Sequence, residues 1–178
     1  MFLNQLIGII GGFFAFIVAL RFLLQVSKAD FYNPISQGVY KITQPLTSPI
    51  QKVMPRIFGI DFSALILALL VIMATIFLLA GFSNPVGVVL ASLLDSQLGL
   101  LSVILNVYFF AIMGAVIISW VAPNSYHPGP QLIAQLTDPL FSLARKVIPP
   151  LGGLDFSPMV ILLLIVFLRS QLPHMLAY

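Results

Sequence analysis

The chain has 178 residues, of which 60% are hydrophobic and only 7% charged, with 8 Lys and Arg against 5 Asp and Glu. A mean hydropathy of +1.11 excludes an ordinary soluble domain, which carries about a quarter charged residues, and so small a basic excess is no nucleic-acid signature. With no cysteine, structural disulfides, cysteine zinc sites, iron–sulfur clusters and thiol catalysis are excluded together.

Leu6 to Val26 is apolar apart from Arg21 and Gln25 near its end. It is long enough to cross a hydrocarbon core of about 30 Å and predicts the first span, residues 6–26. Gly8, Gly12, Ala15 and Ala19 set small residues on one helical face, suited to a dimer seam or to packing against another span of the same chain. Arg21 lies about one turn inside the boundary, so its long side chain is expected to snorkel to the headgroups.

Residues 27–60 predict a polar hairpin. Ile35, Val39, Ile42, Leu46, Ile50 and Val53 recur at steps of three and four, which draws one apolar stripe along an interfacial helix. Pro45 and Pro49 each lack an amide donor and collide with the preceding turn, so two short helices with a bend are expected. Residues 62–82, without a charge, predict the second span. The external link 83–97 holds a short surface helix over Pro85 to Leu94, with Asp95 as its one charge. Residues 98–121 predict the third span, with Ala111 and Ala115 as a second small-residue stripe. A second amphipathic hairpin covers 122–154, and a last span, 155–172, carries Pro158 in its first turn and Arg169 near its end.

The hairpins are copies of one another. With every residue displaced by 94, Pro34, Thr43, Pro45, Leu46, Lys52, Pro55, Gly59, Asp61, Phe62 and Ser63 return as Pro128, Thr137, Pro139, Leu140, Lys146, Pro149, Gly153, Asp155, Phe156 and Ser157. Across the 30 positions from Pro34 to Ser63 there are 13 identities, where chance gives about 6%. The expectation is an all-α membrane protein of four transmembrane helices in two repeats, 1–82 and 98–178, each a pair of spans joined by a Pro-bent amphipathic interfacial hairpin. Because each repeat contains an even number of spans, the two enter the membrane in the same direction.

Lys28, Lys41, Lys52 and Arg56 in the first hairpin, and Arg145 and Lys146 in the second, place both hairpins in the cytoplasm and both termini outside by the positive-inside rule, with Arg169 the one dissenter. Lys41, Lys52, Arg56, Arg145 and Lys146 are also candidate contacts to anionic lipid headgroups. Asp61 and Asp155 stand where a carboxylate can cap the helix that follows, with a proton or ion site as the other reading. His127 and His174 have no carboxylate at ligand spacing, and neither a phosphate loop nor a nucleophile elbow is present. No catalytic residue, cofactor or metal ligand is therefore expected.

Asp30-Phe31-Tyr32-Asn33-Pro34, Thr43-Gln44-Pro45-Leu46, Gly59-Ile60-Asp61 and their partners Thr137-Asp138-Pro139-Leu140 and Gly153-Leu154-Asp155-Phe156-Ser157 resemble the YggT family of small bacterial integral membrane proteins, which has plastid relatives. The resemblance covers nearly the whole chain. It implies a multi-pass inner-membrane protein linked to osmotic tolerance and cell division, and in plastids to cytochrome b6 haem attachment and nucleoid distribution. From these the expected role is a non-enzymatic scaffold or assembly factor that offers its hairpins to lipid and to a protein partner. An oligomeric channel or transporter subunit for osmotic or ion balance is the alternative.

Overall fold

The computed structural model describes residues 2–54, 57, 59–79, 85–122, 125–150 and 155–173. Pro55, Arg56, Gly153 and His174 lie outside them. Seven α-helices and no named strand occur among the described residues: α1 Phe2–Val26, α2 Pro34–Val53, α3 Ser63–Leu79, α4 Pro85–Leu94, α5 Leu100–Val121, α6 Pro128–Val147 and α7 Ser157–Ser170.

Two helices, α1 and α5, are long and apolar enough to cross a membrane. The apolar helix α3 has 17 residues and α7 has 14. At 1.5 Å per residue α7 is about 21 Å long, short of the hydrocarbon core. Pro158 occupies its first turn and the chain leaves helical geometry after Ser170, where the amide of Gln171 turns back to Leu168 O.

The core forms where α1 packs on α3 and α5. Ala15, Val18 and Ala19 have no exposure, and a Cβ on Gly11 would strike the Thr75 side chain of α3. Gly8 approaches Leu79, and Gly12 approaches Leu98. This face of α1 is occupied within the chain itself. In the second half Ala111 belongs to the same core, and Ala115 lies against a second cluster around Ile112, Phe141 and Ile161.

The link helix α4 is more than a surface element. Val88, Ala91 and Ser92 are buried, as is Asp95 at 1% exposure. Asp95 Oδ1 accepts from the amides of Gln97 and Leu98 and so organises the entry to α5. The Ser96 amide donates to Pro173 O, holding the end of α7 beside the start of α5.

The expected break at the prolines does not occur. α2 runs unbroken through Pro45 and Pro49, and α6 through Pro139. The carbonyls deprived of an amide by the first two prolines belong to Lys41 and Pro45, both exposed, while Thr43 and Thr47 donate their hydroxyls to Val39 O and Thr43 O on the inner face. Both helices start at a proline in the first turn and end at the valine before the closing prolines, at positions 94 apart.

Candidate functional site

The distribution of faces on α2 decides where the chemistry sits. Ile35, Ile42, Leu46 and Val53 of the apolar stripe point outward, and only Val39 is buried. The inward face is Ser36, Thr43 and Thr47. The interior it meets is polar, because Arg21 from α1 reaches across to it.

Arg21 does not snorkel. Its Nη1 donates to Thr43 Oγ1 at 2.9 Å and its Nη2 to Gln44 Oε1 at 2.7 Å, and its guanidinium lies 4.5 Å from the centroid of the Tyr40 ring. A partly buried arginine that finds acceptors on a neighbouring helix avoids the cost of an unpaired charge. From Gln44 the network continues: Gln44 Nε2 donates to Gln51 Oε1 at 3.1 Å, and Gln51 Nε2 to Asp61 Oδ2 at 2.6 Å. Arg21 and Asp61 are thus joined by two glutamines seven residues apart, two turns along one face of α2.

Asp61 Oδ1 also accepts from the Ser63 amide, as Asp155 Oδ1 does from Ser157. Each carboxylate therefore serves the orphan donor of the first helical turn from two residues upstream, one position outside the expected cap. Ser63 and Ser157 Oγ are buried without a partner of hydrogen-bond geometry, yet lie close enough to support the carboxylate charge. Burial raises the Asp61 carboxyl, and the opposing effects of Ser63, Gln51 and the Arg21 charge carry it below the ordinary value. Asp155 moves the same way, with Ser157 and Arg145 outweighing burial. A carboxyl with a depressed folded pKa makes the unfolded state bind more protons near pH 4, so its stabilisation is complete above about pH 4 and is lost as pH falls through the folded values. The wild-type melting midpoint is accordingly expected to drop between about pH 5 and 3. The Asp61→Asn/Asp155→Asn variant should show a flatter profile, and identical profiles would refute the linkage.

The second half keeps the aspartate and changes the rest. At the position of Gln51 stands Arg145, whose Nη2 and Nε donate to Asp155 Oδ2 at 2.7 and 2.9 Å, with Asp138 at 3.9 Å. At the position of Arg21 stands Ala115. Thr137 is fully buried and donates to Ile133 O, as Thr43 does to Val39 O, but among the described residues no arginine donates to it. Arg145, though exposed, is thus held by carboxylates, while Lys41, Lys52 and Lys146 are exposed without such a partner among the described residues.

Asn33 joins the halves. Its Oδ1 accepts from the Ile35 amide, capping α2, and its Nδ2 donates to Pro128 O at the start of α6 at 2.8 Å. Beside it the Asp30 amide donates to Gln135 Oε1 of α6 at 2.8 Å. Asp30-Phe31-Tyr32-Asn33-Pro34 is therefore a clasp between the two amphipathic helices. The second half has Asn124-Ser125-Tyr126-His127-Pro128 there, and His127 precedes α6 without a side-chain cap.

The sequence profile of the CCB3/YggT family matches residues 1–82 and 94–176. The chain belongs to the CCB3/YggT family. It is 42% identical over 152 residues to an uncharacterized protein of Pseudomonas aeruginosa, covering 84% of this chain and 77% of that one. It is 31% identical over 166 residues to YggT of Escherichia coli K12, covering 92% and 85%. A protein named ycf19 from Galdieria sulphuraria is 30% identical over 73 residues, 40% of this chain and 74% of its own. No solved structure matches.

Several predicted positions in this YggT-family chain hold the backbone. Gly59 has φ +80°, in the left-handed region that side chains avoid, inside a tight turn where Ile57 and Ile60 exchange both backbone hydrogen bonds. Pro34 and Pro128 open their helices, Pro149 follows the end of α6, Phe62 packs against Phe22, and Ser63 and Ser157 have no exposure. Leu46 is exposed, Leu140 packs beside Phe141, and Phe156 stays partly exposed. No group of three His, Asp or Glu side chains that could hold a metal gathers among the described residues. The reading from sequence alone missed Asn33 as a clasp and Gln44 and Gln51 as the link from Arg21 to Asp61. The seven-residue spacing of the two glutamines was the signal available.

Proposed function

We propose that this YggT-family chain is a non-enzymatic, four-span protein of the bacterial inner membrane, a scaffold or assembly factor built from two parallel repeats. Its paired helices α2 and α6 form a platform at the cytoplasmic face. The observation that carries this reading is the pairing of α2 with α6 through Asn33 and Asp30, with apolar side chains left facing outward. Ile42, Leu46 and Val53 on α2, and Leu143 and Val147 on α6, are 49–83% exposed, with Lys41, Lys52 and Lys146 beside them. A helix that presents outward apolar residues together with lysines suits an anionic membrane border and a partner docked there.

The identical span of α2 and α6 at an offset of 94 and the two-segment family match support the repeat. Contact between helices that follow the C-terminal ends of α1 and α5 supports the parallel orientation. Photo-crosslinking in intact cells from Ile42 and Leu143 tests the role. One reproducible protein captured from both positions, and lost when Asn33 is replaced, is the expected result. Capture of lipid alone would overturn the scaffold, and capture of further copies of the chain would point to an oligomeric pore.

A further inference from the structure

A cavity of 360 Å³ opens where the end of α1, the first turns of α2 and Asp61 meet, within the size range of small-molecule sites, about 300–1,000 Å³. Its polar wall is Arg21, Gln25, Lys28, Ser36, Gln51 and Asp61. Each oxygen of Asp61 already accepts a hydrogen bond, from Gln51 and from Ser63. Arg21 spends only two of its five N–H donors, on Thr43 and Gln44. The Lys28 ammonium and the Gln25 side-chain amide have no hydrogen-bond or ion-pair partner among the described residues. Ser36, only 7% exposed, has a hydroxyl with no partner. A buried orphan of this kind costs about 1–3 kcal/mol unless something binds it.

The wall carries two cations, Arg21 and Lys28, against one carboxylate, Asp61, whose two oxygens are both already engaged. The occupant must therefore bring oxygens and negative charge, and an arginine fork beside an ammonium matches the tetrahedral oxygens of a phosphate. The remaining wall includes Leu24, Phe31 and Val39, which suits an organic body attached to that group. Ninety-four positions on, Arg21, Gln25, Lys28 and Ser36 are replaced by Ala115, Ser119, Ala122 and Pro130, and Arg145 closes directly on Asp155. The free donors are thus collected in one half alone, so the packing needs common to both halves do not account for them.

We propose that this cavity binds a phosphate ester, with its oxygens received by the free donors of Arg21, Lys28 and Ser36. The end of α1 is where a lipid headgroup or a soluble phosphate ester can both arrive, and the two are separated by experiment. The full chain in mild detergent is titrated with phosphatidylglycerol and, separately, with glycerol 3-phosphate, and adducts are resolved by native mass spectrometry. A one-to-one adduct is expected for the wild type. Lys28→Gln/Ser36→Ala should weaken it by about tenfold or more, as charge-assisted bonds are lost, and Arg145→Gln should leave it unchanged.

Neither substitution in the double variant touches the bonds of Arg21 to α2, and Ser36→Ala removes an orphan hydroxyl, so its melting midpoint without ligand should be at or above that of the wild type. An adduct with the lipid alone assigns the site to a headgroup. One with glycerol 3-phosphate assigns it to a soluble ester, and either supports the site. Equal affinity in the wild type and in Lys28→Gln/Ser36→Ala, or no one-to-one adduct in either titration, overturns it.

Discussion

Replacing Arg21 by alanine is expected to destabilise the protein by about 3 kcal/mol, through loss of two hydrogen bonds from a charged donor and of the contact with the Tyr40 face. The loss is large because the acceptors stay behind. Thr43 has no exposure and Gln44 is half-buried, so neither recovers a full set of partners from water. Gln44 also holds Gln51, and Gln51 holds Asp61, so the effect should spread along α2 rather than stay local. Arg21→Lys keeps the charge but not the planar fork that reaches Thr43 and Gln44 at once; it should recover less than half of the loss. Thermal unfolding in detergent, with hydrogen exchange of α2, reads both quantities. Wild-type melting in Arg21→Ala would mean that the side chain points to the headgroups after all.

Asn33→Ala is expected to cost about 2 kcal/mol, since it removes a helix cap and the one side-chain bond from the clasp to the start of α6. The two contributions can be separated. Asn33→Ser retains a capping oxygen but is too short to reach Pro128 O, so an intermediate loss is expected, with faster exchange at the first turn of α6 as the specific sign. If Asn33→Ser melts like the wild type, the clasp contributes nothing and Asn33 is a cap alone. Crosslinking from Leu143 on α6 should fall in Asn33→Ala even though residue 33 lies far from it in sequence, because the platform depends on both helices being held together.

Part of this was legible in the sequence. α2 and α6 begin at Pro34 and Pro128 and end two residues before Pro55 and Pro149, as the repeat and the rule for proline in the first turn imply. α4 lies where the link predicted a short helix. Proline logic failed inside α2, because a break is a local expectation: the helix packs on α1 and α3, and the carbonyls left without amides are at exposed residues. The destination of Arg21 was misread for a related reason. Hydropathy measures depth in the membrane, whereas the side chain chose its acceptors by direction, on a helix 22 positions away.

By itself the sequence determined the helical class, the apolar character of the long helices, the 13 identities at an offset of 94 and the family, since each follows from composition, period or local identity. Only the tertiary structure decided which face of α2 turns inward, that Asn33 clasps the two amphipathic helices, and that the first half gathers unpaired donors around a cavity while the second pairs Arg145 with Asp155. The physical reason is that an amphipathic pattern marks two faces without saying what meets each. That is decided by the groups neighbouring helices bring, here the guanidinium of Arg21, which meets hydrogen-bond acceptors on Thr43 and Gln44.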